Sequence, residues 1–243
     1  MQSRLKTASF LLERDCRLRL AQLSCLATAL LWVMMIDSPA NAESPDDLLL
    51  VYAVNIHRTP MQSWGPGYGI YLGNGLFITA AHVAGHTWFT RPKVTIAGTE
   101  YPTKVIKAGD FETIDVTLLS VDESLLPSRL ALRRNPLCAK PPWPGEPVIT
   151  VVPEGTARSR ILSPQRLPRS VRKFDTVISD VAETGNSGSG VFDAEKKCLL
   201  GIMSRKISEY RTERSTGKRE LYDIAKYFVP ASVIAQFIPA ELR

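Results

Sequence analysis

The sequence predicts an all-β fold built in two halves. Three observations carry this. Eleven short apolar runs are set apart by Gly, Pro and Asn turn signals, and many short strands at close spacing read as a sandwich or barrel. A proline-rich stretch, Pro136 to Pro147, divides the runs into two sets, as a connection between halves does. Only one segment, near the C-terminus, places apolar residues at helical spacing.

Residues 1–42 stand apart from the fold. Arg14, Arg17 and Arg19 give a basic approach, Leu26 to Ile36 an apolar core, and Ala40-Asn41-Ala42 a small-x-small site, the three parts of a secretory signal. That core falls short of the roughly 20 residues a membrane-spanning helix needs. We therefore expect cleavage near Ala42, export to a periplasm or the medium, and no stable membrane insertion afterwards.

The first strand set runs Leu48 to Ile56, Gly69 to Leu72, Leu76 to Thr79, Lys93 to Ile96, Thr103 to Lys107 and Asp115 to Val121. The second runs Pro147 to Val152, Arg158 to Leu162, Thr176 to Ser179, Gly190 to Phe192 and Cys198 to Ser204. On this reading the domain is 43–243, with a first half at about 48–125, a connection at about 126–146, a second half at about 147–228 and a closing helix at about 230–238. Pro230 suits a first helical turn, and Pro239 ends the segment.

Composition excludes some classes. The chain is 44% hydrophobic and 22% charged, ordinary for a globular protein. The leader holds five basic and three acidic residues, so the remainder keeps +4 of the total net charge of +6. Its basic clusters, Arg166 to Lys173 and Arg211 to Arg219, alternate with polar residues and prolines as solvated loops do, so no nucleic-acid partner is expected. No metal-ligand spacing and no cofactor motif is present, and we expect a monomer. Cys138 and Cys198 are the two cysteines beyond the leader; an even pair in an exported chain suggests one disulfide.

The chemistry concentrates in Thr184-Gly185-Asn186-Ser187-Gly188-Ser189-Gly190, one serine standing clear among glycines. A serine hydroxyl is a poor nucleophile until a neutral imidazole takes its proton, and the imidazole needs a carboxylate to fix its tautomer. His82, after the apolar run ending at Thr79, and Asp115, embedded in Ile114-Asp115-Val116-Thr117-Leu118-Leu119, fit those roles. All three histidines, His57, His82 and His86, precede Ser187, which rules out the Ser, Asp, His order of α/β-hydrolases. His86 and His57 lack the Ala-Ala context, Asp110 and Glu112 lie in a turn, and Ser189 is out of register with the motif.

At these residues the chain resembles the trypsin-like (chymotrypsin-fold) serine endopeptidases. The likeness rests on Thr79-Ala80-Ala81-His82, on Asp115 with Val-Thr-Leu-Leu, on Gly185-Asn186-Ser187-Gly188-Ser189, and on Leu200-Gly201-Ile202-Met203-Ser204 as the strand walling the substrate pocket. The Gly-Asn-Ser-Gly-Ser-x-Val-Phe form looks nearest to the bacterial glutamyl-endopeptidase branch, though Gly190 stands where that pattern has proline. The resemblance implies two Greek-key β-barrels with the active site in the cleft between them and polypeptide substrates. It also implies an oxyanion hole from the Gly185 and Ser187 backbone N–H groups. A catalytically weak binding or scaffold protein and an esterase on the same fold are the competing readings.

Specificity is less marked. The position for an acidic pocket floor falls at Val181, with Asp180 one residue earlier, and the wall strand has Met203 where glutamyl endopeptidases carry histidine. With Asp180, Val181, Met203 and Ser204 lining the pocket, a small or medium apolar residue is expected before the scissile bond.

Overall fold

The computed structural model describes residues 44–57, 67–179 and 187–243. The expected leader, Gly185, Asp180 and Val181 lie outside the described residues.

Seven antiparallel strands make the first half: β1 (Ala53–His57), β2 (Gly67–Gly73), β3 (Leu76–Thr79), β4 (Lys93–Ile96), β5 (Thr99–Pro102), β6 (Lys104–Ala108) and β7 (Thr117–Ser120). They hydrogen-bond in the order β5-β4-β1-β2-β3-β7-β6. The two outer strands, β5 and β6, are separated by Thr103 alone, so one bent segment pairs with β4 by its first part and β7 by its second. The sheet thereby curls back on itself through the chain instead of through a ladder. Between β2 and β3 the turn Gly73-Asn74-Gly75 has φ of 117°, 51° and 71°, a left-handed run that glycine and asparagine tolerate.

The second half is a closed barrel of β8 (Pro147–Val152), β9 (Gly155–Leu162), β10 (Val177–Ile178), β11 (Gly190–Asp193), β12 (Leu199–Thr212) and β13 (Arg219–Pro230), in the order β10-β13-β12-β11-β8-β9. A helix over Ala231–Phe237 follows, flanked by Pro230 at its N-cap rather than containing it.

Strand alternation gives the first sheet two apolar faces. Tyr71, Phe77 and Leu119 pack inward with Val54, Ile56 and Val94. Their neighbours Ile70, Ile78 and Leu118 point the other way and join Ile149, Val151, Phe192, Ile202 and Val229 of the barrel, with Ile234 and Phe237 of the closing helix. One continuous core therefore joins the halves. The barrel has its own interior of Val148, Ile161, Ile178, Val191, Leu200, Met203 and Phe228.

Two expectations are corrected. Leu48 to Tyr52 is not strand: Asp47–Tyr52 is a 3-10 helix in which Leu49 is buried and Leu48 exposed, and β1 begins at Ala53. The cause is local, since the Leu49 N–H donates to the Asp46 carbonyl and winds the chain before the sheet starts. The strand over Arg219–Pro230 was not anticipated, and β12 continues eight residues beyond Ser204 to Thr212; together they form a ribbon with polar, exposed outer halves.

Asp46 ties the N-terminal segment to the barrel. Its carboxylate, 3% exposed, accepts from Arg158 Nε at 2.6 Å and Nη2 at 3.0 Å and from Lys197 Nζ at 2.6 Å. Burial pushes this carboxyl up, but the hydrogen bonds and charges of Arg158 and Lys197 outweigh it and hold the group below the usual carboxylate range. A depressed folded-state value means stabilisation that is present above the unfolded value and lost as pH falls through the folded one. Asp46→Asn should cost about 1–3 kcal/mol in urea unfolding at neutral pH, with the gap to wild type closing in acid below about pH 4. A gap that persists unchanged at pH 2 would contradict the ion-pair account.

Cys138 and Cys198 form the expected disulfide, closing a separation of 60 residues. Around it, the Cys138 N–H donates to Leu199 O and the Leu199 N–H to Pro136 O, so the connection is laced to the start of β12. For a loop of this length, removing the bond in a Cys138→Ser/Cys198→Ser variant should lower unfolding stability by about 4 kcal/mol. Denaturant titration of the oxidised and double-serine forms measures it.

Candidate active site

β3 is buried throughout and delivers the chain to Ala80, extended at φ −68° and ψ 141°, from which the single helical turn Ala81–Ala84 starts. The turn leaves the His82 side chain partly exposed while Ala81, Val83 and Ala84 stay buried. Asp115 lies just before β7, in a loop pinned by the Gly109 N–H on Val116 O, and is 2% exposed.

The buried carboxylate is fully engaged. The His82 ring Nδ1 lies 2.8 Å from Oδ2 and 3.0 Å from Oδ1, and the His82 backbone N–H donates to Oδ1 at 3.1 Å. The Ser204 hydroxyl donates to Oδ2 at 2.6 Å. Burial alone drives Asp115 toward the neutral form, yet the His82 and Ser204 hydrogen bonds overcome it and hold the carboxyl below the usual range. An ionised carboxylate only accepts, so the network assigns the proton to Nδ1 and leaves the Nε2 lone pair facing away from Asp115.

Ser187 comes from the loop entering β11. Tyr68 of β2 donates its N–H to Ser187 O at 3.0 Å, the Gly188 N–H donates to Met203 O at 2.8 Å, and the Met203 N–H donates to Ser189 O at 2.8 Å. Both halves of the fold thus grip the loop through main chain. Gly188 is required there: its φ is 88°, and a Cβ would meet Tyr68 O at 1.8 Å. The Ser187 hydroxyl donates to the Ser204 carbonyl at 3.1 Å. Ser204 therefore bridges the group, with its hydroxyl on Asp115 and its carbonyl on Ser187.

The sequence-derived residues separate clearly. His82, Asp115, Ser187 and Ser204 come together. Ser189 is buried, His86 is exposed, and the Asp110 carboxylate is occupied by the Glu112 N–H within its own turn. Met203, expected to line the pocket, is 2% exposed and sits among the apolar side chains inside the barrel. Ser204 was expected beside it as pocket wall, but a register shift between Met203 and Arg205 turns its side chain to Asp115. Two further residues border His82. Phe111 stands edge-on to the imidazole at 5.2 Å between centroids, and the Arg205 guanidinium lies 3.7 Å from the Phe111 ring centroid. Among the described residues the only grouping with metal-ligand proximity is Cys138, Asp193 and Cys198, whose sulfurs are consumed by the disulfide.

A family model for the trypsin-like peptidase domain matches residues 67–202, a span that contains His82, Asp115 and Ser187. No curated protein matches the chain. Among solved structures it is similar to the Rv3671c protease from M. tuberculosis in its active form, at 18% identity and a TM-score of 0.54, covering 82% of this chain and 85% of that one. It is also similar to the serine endoprotease from Yersinia pestis, at 15% identity, TM-score 0.55 and coverage of 81% and 66%. A third likeness is to kallikrein-related peptidase 10, at 15% identity, TM-score 0.55 and coverage of 80% and 96%. These likenesses carry the fold. The family-model match spans more than half of the sequence, and on it the chain belongs to the trypsin-like peptidase domain family.

Proposed function

We propose that this chain is an exported serine endopeptidase in which Ser187 is the nucleophile, His82 the general base and Asp115 the residue that orients the base. The observation that carries the reading is the buried Asp115 carboxylate held against His82 Nδ1 with Ser204 linking it to Ser187. Rotation of the Ser187 hydroxyl from the Ser204 carbonyl toward His82 Nε2 sets up the reaction. The oxygen attacks the peptide carbonyl carbon as Nε2 takes its proton, and the oxyanion that forms is met by the Ser187 and Gly185 N–H groups. Return of the proton to the amine nitrogen breaks the C–N bond and leaves an acyl ester on Ser187. Water then repeats the sequence, its proton passing through His82, and frees the acid and the serine.

Export is supported by the leader pattern ending at Ala42 and by the disulfide, which suits an oxidising compartment. Among the described residues no helix is long and apolar enough to cross a membrane. For the residue before the scissile bond we retain a small or medium apolar preference.

The test is to treat the purified protein with a fluorophosphonate probe and assay casein cleavage, with Ser187→Ala as control. Labelling at Ser187 with cleavage supports the reading. Labelling without casein cleavage points to an esterase, and absence of both to a scaffold.

A further inference from the structure

Ser187 donates its hydroxyl to the Ser204 carbonyl, and Arg205 is the next residue of β12, so a polypeptide docked at Ser187 comes close to that side chain. β12 pairs with β11 only as far as Ile202, while its pairing with β13 continues to Thr212. Among the described residues, the β11-side edge from Ser204 onward carries no partner strand. An extended peptide lying along that edge places its side chains against Arg205.

Arg205 is held in a specific pose. Its guanidinium lies over the Phe111 ring, 3.7 Å from the centroid, with the Phe174 ring farther off at 5.7 Å. Nη2 donates to the Phe111 carbonyl, and Nε lies 3.4 Å from Ser204 Oγ. Stacking leaves the remaining in-plane N–H groups as donors, the geometry that takes a carboxylate bidentately. The charge lacks a partner: among the described residues no carboxylate lies within ion-pair distance of Arg205, although Asp110 and Glu112 flank Phe111 in sequence. Lys206, the next cation, is paired with Asp223 at 2.8 Å. The same Phe111 ring touches His82, which fixes the cation close to the reacting groups.

We propose that Arg205, held over Phe111, is a specificity-determining residue that binds an acidic side chain of the polypeptide substrate. The residue it takes lies within about three positions of the scissile bond, given the reach of arginine and the rise of about 3.3 Å per extended residue. This rests on the endopeptidase reading above and adds to it a substrate class: extended segments bearing Asp or Glu near, and not at, the position before the cut.

The experiment is a peptide library randomised at each position on both sides of the bond, cleaved by wild type, Arg205→Met, Arg205→Lys and Arg205→Glu. Wild type should favour Asp or Glu at one position by about tenfold to a hundredfold in kcat/KM. Arg205→Met should erase that preference, Arg205→Lys should keep only part of it because the fork is lost, and Arg205→Glu should shift it to Lys or Arg. Where one variant fails to fold, the other two still read the contribution of Arg205. Casein cleavage with fluorophosphonate labelling of Ser187, but a wild-type library indifferent to acids, overturns the Arg205 assignment and leaves the endopeptidase reading intact. A preference for acids that survives unchanged in Arg205→Met overturns it equally. No labelling and no cleavage of any peptide overturns the two together.

Discussion

Replacing Ser187 with alanine should lower kcat by about a millionfold while leaving the fold unchanged. On the proposed mechanism the loss is that large because nucleophile, base and orienting acid act as one unit, so removing the nucleophile forfeits the covalent route altogether. Adding His82→Ala should therefore cost almost nothing more. Stability should be spared for a structural reason: the bonds that hold this loop, from Tyr68 N–H to Ser187 O and from Gly188 N–H to Met203 O, are main-chain and survive the substitution. Single-turnover kinetics on a peptide substrate, with thermal unfolding as the companion measurement, checks both halves. Retention of even one-hundredth of wild-type kcat in a folded variant would remove Ser187 from its role.

Asp115→Asn should be the next most damaging change, about 10⁴-fold in kcat. The wild-type carboxylate accepts from His82 N, His82 Nδ1 and Ser204 Oγ at once, which commits the imidazole to the tautomer with Nδ1 protonated. An amide offers one accepting oxygen and one donating nitrogen to the same cluster. Facing Nδ1 with its NH2 group, it stabilises the opposite tautomer, and Nε2 then carries a proton where it must receive one. The variant should also differ in acid. Because the folded-state value of Asp115 is depressed, its ionisation stabilises the fold above the unfolded carboxylate value, and that contribution disappears as pH falls through the folded one. Urea unfolding from pH 7 to pH 2 should show a shallower decline for Asp115→Asn than for wild type. Equal slopes would mean that the carboxylate is not held as a charge.

What could be read from the sequence follows from how each signal is encoded. β3, β8 and β11 were legible because both their faces are buried and apolar residues dominate each run. His82, Asp115 and Ser187 stood out in the sequence because each sits in a short motif of its own, and the structure sets His82 against Asp115 and links Ser187 to them through Ser204. The outer half of β12 and most of β13 gave no such signal. Ser208 to Thr212 and Arg219 to Asp223 pair with each other in a ribbon with little burial on either face, so no alternation marks them. Ser204 was read from the sequence as part of the wall strand, and its hydroxyl's contact with Asp115 was not foreseen, because the register shift between Met203 and Arg205 leaves no mark on the apolar run around it. Phe111 was hidden for a similar reason: its turn reads as polar, and only the folded chain brings Arg205 of the second half across to it.

The Asp46 clamp has a temporal corollary. Its two cations lie 112 and 151 residues further along the polypeptide. During synthesis, which proceeds from the amino end, this acid emerges long before either partner and must wait in solvent. The final closure of the molecule is consequently deferred until nearly the whole chain has arrived. A truncated product ending before Lys197 lacks half of this clamp and should remain more open and more sensitive to degradation than the full chain.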